Sequence, residues 1–443
     1  MPHLTRSIGV RGLTATLFNM TVGGGIFAMP SLVAQMVGTS AVYAYLACAI
    51  AMLCIVLAFA VAGSRVPSAG GAAVYAEAAF GPLVGFLTGI LGWLSDTLAV
   101  AAVMAGLAAA IGALVPPLGG VVARTALVAA ILGTFAWINV RGVRHGTRVA
   151  EVMTIAKLLP LLVLVGAAAF AGGGGMWRIG PLPDIGTIGR ASLVLIFAFS
   201  GPESVMALGG EVLRPTRTIP MALVAALALV TSLYISVQLA AAVGLGQALA
   251  ATPNATLAIA AGNLLGPKGQ FLLAIGTVVS MTGFASVAVM TTPRLVYAIA
   301  CRGLLPPWLA RVHPVRRTPA AAIIAHTTIS FLLSSSGTFA ALAVLASVSV
   351  VAVYLMACVS ALQLQRRGIT VSAATSSTAT PERPPMHVPA PVLGAGAVFC
   401  IVLLAQATRF ELLMIAALLA AATVWYLIHL ALGRISPAAE MAY

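Results

Sequence analysis

Three ionisable residues stand out inside long apolar stretches of the chain: Asp96, Lys157 and Glu203. A charge in the hydrocarbon core of a membrane is costly, and where one is kept it usually marks the path of an ion, a proton or a substrate. A buried carboxylate can bind a cation, and removal from water favours the neutral form of a lysine. These three residues are the first candidates for chemistry.

Lys157 lies about 10 Å, or two helical turns, into an apolar stretch that begins near residue 150. At that depth its amine could exchange a proton near neutral pH. The structural alternative is a long side chain that reaches back to the membrane interface. We favour the proton role.

Two apolar stretches are interrupted by residues that disfavour helices. The first break is Thr21-Val-Gly-Gly-Gly-Ile26 and the second break is Phe199-Ser-Gly-Pro-Glu203. Glycine costs a helix about 1 kcal/mol and proline about 3 kcal/mol. Because unpaired backbone groups cost several kcal/mol in lipid, these residues indicate unwound chain that lines a cavity. Close packing between helices is the structural alternative for the glycines.

The two breaks would expose complementary backbone groups. A half-helix that begins at a break points its N–H groups at the site and favours a carboxylate, whereas one that ends there presents carbonyls that favour an ammonium group. A zwitterion such as an amino acid matches both. Gly23, Gly24 and Gly25 would let its carboxylate approach the main chain, and Thr21 and Gly201 complete the candidate binding residues of the breaks.

The elements that must position these residues are membrane helices. Of the 443 residues, 61% are hydrophobic and only 7% are charged, so most of the solvent around the protein is lipid. About twelve stretches are long enough to span a bilayer. They lie near residues 13–36, 39–63, 82–112, 121–140, 150–171, 187–210, 218–246, 269–300, 318–338, 341–364, 390–408 and 410–432. The prediction is an all-α integral membrane protein with about twelve transmembrane helices.

The net charge of +14 fits membrane topology better than nucleic-acid binding, because the basic residues lie between apolar stretches without interleaved aromatic residues. With the N-terminus inside, the outer segments hold only Arg124, Arg178, Arg190, Lys268 and Arg409. The positive-inside rule therefore puts both termini in the cytoplasm. The alanine-rich, lysine-poor composition indicates a bacterial chain, so we expect a multi-pass protein of the bacterial cytoplasmic (plasma) membrane.

The two breaks are five spans apart, which predicts two repeats of opposite orientation with a substrate site between them. The repeats would cover about residues 10–171 and 187–364, within a transporter core at 1–364. Residues 365–389 are rich in Ser, Thr, Ala and Pro and predict a cytoplasmic linker. Residues 390–443 would add two transmembrane helices and a short cytoplasmic tail.

Other classes fit less well. A membrane enzyme needs a nucleophile with its base or a metal cluster, and the sequence has no HExxH or GxSxG motif and no CxxC pair. A channel of this size usually shows repeated pore segments. We therefore expect no catalytic residue, no metal and no cofactor.

Four sequence blocks, in this order and spacing, resemble the amino acid–polyamine–organocation superfamily over roughly residues 10–320. They are Gly23-Gly-Gly-Ile-Phe27, Pro67-Ser-Ala-Gly-Gly-Ala-Ala-Val-Tyr75, Phe197-Ala-Phe-Ser-Gly-Pro-Glu203 with Gly210-Glu-Val-Leu-Arg-Pro215 and Ile219-Pro220, and Arg294-Leu-Val-Tyr-Ala-Ile-Ala-Cys-Arg-Gly-Leu-Leu-Pro306. The resemblance implies the leucine-transporter-type fold, with a 5+5 inverted repeat and two extra helices. It also implies secondary active transport of an amino acid or related amine by alternating access.

The resemblance also implies residue roles. Gly23 to Gly25 would cradle the substrate carboxylate, and carbonyls near Phe197, Ala198 and Ser200 would receive its ammonium group. Phe197 matches the family's aromatic gate. The chain departs from the family pattern at Pro202, within the second break, and at Cys301-Arg302-Gly303, in a cytoplasmic loop.

Lys157 resembles a fifth-span lysine of proton-coupled family members, which touches the first break and hydroxyls of the eighth span. Ser280 and Thr282 are the matching candidates. Ser95 and Asp96 fall where third spans of the family touch the substrate side chain. Asp96 could bind a cationic side chain, carry the proton itself, or make a structural contact.

The prediction is a proton-coupled amino acid permease whose partners are its substrate, protons and the lipid bilayer. An amino acid or polyamine exchanger of the same fold is the alternative. Neutral substrates, which fit the small residues, are slightly favoured over basic ones, which Asp96 would fit.

Overall fold

The computed structural model describes residues 8–66, 70–141, 144–171, 179–206, 212–252, 256–313, 316, 318–370 and 385–432. Within these ranges all regular secondary structure is helical, apart from one isolated β-bridge between Ile8 and Val212. The helices are α1 (Val10–Thr21), α2 (Gly25–Val37), α3 (Ala41–Arg65), α4 (Ala72–Phe80), α5 (Pro82–Leu114), α6 (Val121–Arg141), α7 (Arg144–Ala171), α8 (Ile185–Phe199), α9 (Pro202–Val205), α10 (Pro215–Leu245), α11 (Thr256–Cys301), α12 (Ala320–Ser336), α13 (Phe339–Arg366), α14 (Ala390–Ala405) and α15 (Arg409–Ala431).

Eight helical segments of the described chain are long and apolar enough to cross a membrane. They are Gly25–Arg65, Pro82–Ala113, Val121–Arg141, Ile185–Val205, Thr216–Leu249, Thr256–Cys301, Phe339–Arg366 and Arg409–Ala431. Three shorter apolar helices, Lys157–Ala171, Ala320–Ser336 and Ala390–Ala405, coincide with further predicted stretches. The predicted all-helical, multi-pass membrane architecture is confirmed. The count of twelve spans stays a prediction, because length and apolarity alone select eight.

Both predicted breaks interrupt helices. Residues 22–24 separate α1 from α2, and Ser200 and Gly201 separate α8 from α9. Gly201 has a φ of 136°, which a residue with a Cβ rarely adopts. Pro202 then begins α9, where its missing N–H costs nothing because the first turn of a helix has no intrahelical acceptor.

Close packing of α7 on α11 fixes the position of Lys157. A Cβ built on Gly276 of α11 would lie only 2.7 Å from Cγ of Pro160, so the two helices approach more closely than a larger residue would permit. Lys157 stands one turn before Pro160 on α7. The close approach of α7 to α11 therefore places Lys157 next to the end of α1.

The start of α8, which is predicted to face the outside of the cell, is stabilised by two sets of contacts. Nη1 of Arg190 donates to the carbonyl of Gln406 at 2.7 Å, and its guanidinium pairs with Glu411 of α15 at 3.4 Å. Asp184 caps α8 by accepting from the hydroxyl and the backbone N–H of Thr187. These hydrogen bonds hold the pKa of the exposed Asp184 carboxyl below its ordinary value.

Several features differ from the sequence-based expectation. The loop predicted after the second span contains a short helix, α4, and α11 begins at Thr256, well before the predicted start near residue 269. Gly266, with a φ of 72°, bends α11 between its two parts. Part of the predicted linker (371–384), part of the block that begins at Pro67 (67–69) and the tail (433–443) lie outside the described residues.

Candidate functional site

The two breaks lie against each other. A Cβ built on Gly25 would lie 3.0 Å from Cα of Ala198, and one built on Gly201 would lie 3.1 Å from the backbone N of Thr21. Such distances are tighter than side chains normally tolerate next to a backbone. Glycine at both positions therefore lets the unwound segments of the two broken helices meet main chain to main chain.

The first break presents unpaired N–H donors. Within the described chain, the backbone N–H groups of Gly24, Gly25 and Ile26 donate to no protein acceptor, since the first hydrogen bond in this turn is from Phe27 to Gly24. All three residues are buried. Buried N–H groups are nearly always paired, and at the start of a helix they attract an anion. This end of α2 can receive a carboxylate.

The second break presents carbonyls that are each only partly used. The carbonyl of Phe197 accepts from Oγ of Ser200 at 2.8 Å, and that of Ala198 lies 2.8 Å from the hydroxyl of Tyr234. A carbonyl oxygen has two lone pairs, so each can accept a second hydrogen bond. The end of α8 can therefore receive an ammonium group.

Tyr234 of α10 bridges the breaks, and the sequence did not single it out. Its hydroxyl lies 2.8 Å from the carbonyls of both Thr21 and Ala198, and its side chain is fully buried. The hydroxyl has one proton, so it donates to one carbonyl at a time and can alternate between the two broken helices.

Replacing Tyr234 with phenylalanine should weaken substrate binding by about tenfold, because it leaves the buried carbonyl of Ala198 without a donor at a cost of about 1–3 kcal/mol, whereas the carbonyl of Thr21 keeps the N–H of Gly23. Binding of labelled substrate to the purified protein measures the effect. Tyr43→Phe is the matched control, since the hydroxyl of the half-buried Tyr43 makes no hydrogen bond within the described chain. Equal affinity in both variants would assign Tyr234 a packing role only.

Lys157 contacts the first break directly. Its Nζ donates to the carbonyl of Asn19 at 2.7 Å and to that of Val22 at 2.5 Å, and the residue is only 5% exposed. The hydroxyl of Ser280 donates to the carbonyl of Gly23 at 3.2 Å, whereas the hydroxyl of Thr282 makes no hydrogen bond within the described chain. The lysine therefore contacts the carbonyl end of α1 and does not extend to the interface.

Glu203 ties the second break together. Both of its carboxylate oxygens accept from the backbone N–H of Gly201, at 2.9 and 3.0 Å, and Oε2 also accepts from the hydroxyl of Tyr354 at 2.6 Å. These donors replace the helical hydrogen bonds that the break removes. The contacts indicate a structural role for Glu203 in holding α9 and α13 together.

A pocket lined by apolar side chains and several polar ones adjoins the second break and contains Asp96. The pocket is lined by Met20, Ser95, Asp96, Ala99, Phe197, Ser200, Gly201, Glu203, Ser204, Phe284, Ala288, Thr291, Thr292, Ala346, Ser347 and Val350. Asp96 accepts long hydrogen bonds from Thr292 at 3.3 Å and from Ser204 at 3.5 Å. Ser95 donates to the carbonyl of Ala346 at 3.2 Å.

Aromatic rings enclose the breaks. Phe197 packs edge to face against Phe339, with ring centroids 5.5 Å apart, and is nearly buried. A Cβ on Gly23 would lie 3.0 Å from the ring of Phe284, which also lines the pocket. A substrate at the breaks would therefore lie between rings from α8 and α11.

The structure gathers the candidate residues into two adjoining groups. One group lies at the two breaks and includes Lys157 and Ser280, which contact the first break. The other group lies at the pocket and includes Ser95 and Asp96. Thr282 takes part in neither hydrogen-bond network. The sequence missed Tyr234, Tyr354 and Ser347, because long-range hydroxyl contacts have no local sequence pattern. No group of three or more metal-ligating side chains occurs in the described chain.

Comparison with known proteins agrees with this architecture. The model of the amino acid permease family matches residues 8–433. The serine/threonine exchanger SteT of Bacillus subtilis is 30% identical over 345 residues, which cover 75% of this chain and 78% of SteT. The branched-chain amino acid permease BcaP of the same species is 26% identical over 385 residues, 82% of each chain.

A human relative also matches. The large neutral amino acids transporter small subunit 2 is 27% identical over 351 residues, which cover 74% of this chain and 64% of the relative. These relatives are transporters and exchangers and not enzymes, and the resemblance predicted from the sequence blocks is confirmed. The chain belongs to the amino acid permease family.

Proposed function

We propose that this protein is a secondary active transporter that binds a zwitterionic amino acid between the two breaks and moves it together with a proton. The substrate carboxylate binds the N–H groups at the start of α2, and the ammonium group binds the carbonyls of Phe197, Ala198 and Ser200. The names of the relatives support amino acid transport in general.

The observation that carries the proposal is the set of buried N–H groups on Gly24, Gly25 and Ile26 with no acceptor in the described chain. A buried donor without an acceptor is costly, so the site requires an anionic or hydrogen-bonding ligand. The second break, whose carbonyls keep spare lone pairs, packs against Gly25. One amino acid backbone satisfies both sets.

The contacts of Lys157 with the first break support proton coupling. The protonated amine donates to the carbonyls of Asn19 and Val22 and so favours the observed shape of the first break. A neutral amine holds those carbonyls less strongly, which would release the first break. Protonation and substrate binding would then favour the same conformation, which is the requirement for symport.

Exchange is the second candidate function. The exchanger SteT matches over most of its length, and an exchanger needs the same breaks and the same binding groups. In an exchanger Lys157 would be a fixed charge that holds α7 to the first break in every state. The two functions differ in whether a proton gradient drives net accumulation.

The membrane arrangement completes the proposal. Twelve spans, ten of them in inverted repeats at about 10–171 and 187–364, would place the two breaks at equivalent positions of opposite orientation. Both termini and the linker at 365–389 would lie in the cytoplasm of a bacterial cell, with two further helices in 390–443. The contact of Gly201 with Thr21 supports pairing of the repeats at the breaks.

Uptake by the purified protein in liposomes tests the function. Labelled serine, leucine, lysine, arginine and putrescine are each offered with and without an inward proton gradient, and with and without unlabelled amino acid inside. We expect at least one amino acid to accumulate when the gradient is present and the interior is empty. Uptake that requires internal amino acid and ignores the gradient would establish exchange, and the absence of any uptake would contradict amino acid transport.

A further inference from the structure

Four hydroxyl groups that line the pocket beside the second break have their protons engaged. The hydroxyls of Ser95 and Thr291 already donate their protons to backbone carbonyls. Those of Thr292 and Ser204 are directed at Asp96. Because a hydroxyl has only one proton, these four groups present lone pairs to the remaining space. The wall of the pocket therefore favours a ligand that donates hydrogen bonds.

A buried and unpartnered hydroxyl also reaches the pocket. Ser347 of α13 is 0% exposed, lines the pocket, and its Oγ has no hydrogen-bond partner in the described chain. Buried polar groups are normally paired, so an unpaired one at a pocket wall points to a ligand that completes it. This observation is independent of the carboxyl groups.

Asp96 keeps unused capacity, whereas Glu203 does not. The two hydrogen bonds to Asp96 are at the long end of the accepted range, and a carboxylate can accept about four. Glu203 is occupied by the N–H of Gly201 and the hydroxyl of Tyr354. Among the described residues that line the pocket there is no lysine, arginine or histidine. A carboxyl group in such surroundings is stabilised either by binding a cation or by holding a proton.

We propose that Asp96 and Ser347 bind the terminal ammonium or guanidinium group of a cationic amino acid. Phe197, Ser200 and Gly201 belong to this pocket and also to the second break, so a substrate held there by its α-amino group extends its side chain toward Asp96. The assignment rests on the proposed function, since the breaks bind the backbone of the same substrate. It differs from the substrates in the names of the relatives, which are serine, threonine, branched-chain and large neutral amino acids.

Binding of labelled L-lysine and labelled L-norleucine to the purified full chain tests the subsite. Norleucine has the carbon skeleton of lysine without the terminal amine. We expect the unmodified protein to bind lysine at least about tenfold more tightly, because a site built for a polar group rejects the analogue that lacks it. Asp96→Asn should weaken lysine binding at least about thirtyfold and leave norleucine binding unchanged.

Three further variants keep this test interpretable. Asp96→Glu retains the charge and should retain the preference for lysine, which separates lost charge from lost folding. Asp184→Asn makes the same chemical change at the exposed cap of α8 and should behave as the unmodified protein. Ser347→Ala should weaken lysine binding by a smaller factor than Asp96→Asn.

The outcomes that would contradict the cation subsite can be told apart from the outcome that would contradict the proposed function. Equal binding of lysine and norleucine, unchanged by Asp96→Asn, would overturn the cation subsite and leave the proposed function standing. Sodium-dependent binding of norleucine that Asp96→Asn abolishes would assign the carboxylate to a metal ion and also overturn it. If neither these two amino acids nor serine, leucine or arginine binds, the proposed function fails and the subsite fails with it.

Discussion

Lys157→Ala should abolish proton-driven accumulation of the substrate. The change removes both charged hydrogen bonds to the carbonyls of Asn19 and Val22, each worth about 1.5–3 kcal/mol. It leaves the first break with unpaired backbone in a buried environment, and it removes the only lysine in contact with that break. We expect gradient-driven uptake to fall by at least about tenfold, measured with labelled amino acid in liposomes.

The chain provides a matched control for this prediction. Lys268, the only other lysine, is exposed near the bend of α11, and Lys268→Ala should leave uptake unchanged. Lys157→Arg then separates charge from proton exchange, because arginine keeps the charge and cannot release a proton in a protein. We expect Lys157→Arg to bind substrate and still fail to couple it to the gradient. Full coupling in that variant would show that Lys157 acts as a fixed charge.

Gly201→Ala should reduce transport per folded molecule by more than tenfold. The φ of 136° is strained for alanine by about 1–3 kcal/mol. In addition, the new Cβ would lie 3.0 Å from Oγ1 and 3.1 Å from the backbone N of Thr21, so the two breaks must move apart. The N–H groups and the carbonyls that bind the two ends of one small substrate would then no longer match its length.

Gly81→Ala serves as the control for backbone strain. Gly81 has a φ of 93°, but a Cβ there meets nothing within 4 Å, and the residue lies between α4 and α5 away from the breaks. Thermal unfolding and uptake are measured on both variants. We expect both to lose stability and only Gly201→Ala to lose uptake when the amounts of folded protein are equal. If uptake falls equally in the two variants, strain alone accounts for the loss.

The sequence was sufficient to predict the breaks because their residues act locally. Three successive glycines and a Ser-Gly-Pro segment weaken a helix wherever they stand, and the structure interrupts the helices at these positions. Lys157 could be recognised as a candidate functional residue for the same reason, since a lysine in an apolar stretch is exceptional in any membrane protein. The family resemblance added the expected neighbour Ser280, which does contact the first break.

The remaining parts of the site depend on contacts between distant residues. Tyr234 lies more than two hundred residues after Thr21, and one tyrosine in an apolar helix is not distinguishable from a core residue. Ser347 is a small residue in an apolar segment, and only the structure shows its hydroxyl unpaired at a pocket wall. The helix α4 was missed because its nine residues are too short to show a period.

Asp96 shows both what the sequence could predict and what depends on contacts between distant residues. The sequence showed a carboxylate within a membrane stretch but left three roles open for it, because its neighbours on other helices were unknown. The pocket supplies those neighbours, and they are hydroxyl groups that already donate their protons. The set of acceptors around Asp96 therefore favours a cationic ligand over a purely structural contact.

The central claim is that one substrate molecule and one proton cross together, and a pH-sensitive dye trapped inside the liposomes tests it most directly. The interior is free of amino acid and no pH gradient is imposed, and the substrate is then added outside. We predict that the interior acidifies after the addition and that Lys157→Ala eliminates the signal. Entry of labelled amino acid without any change of internal pH would contradict proton coupling.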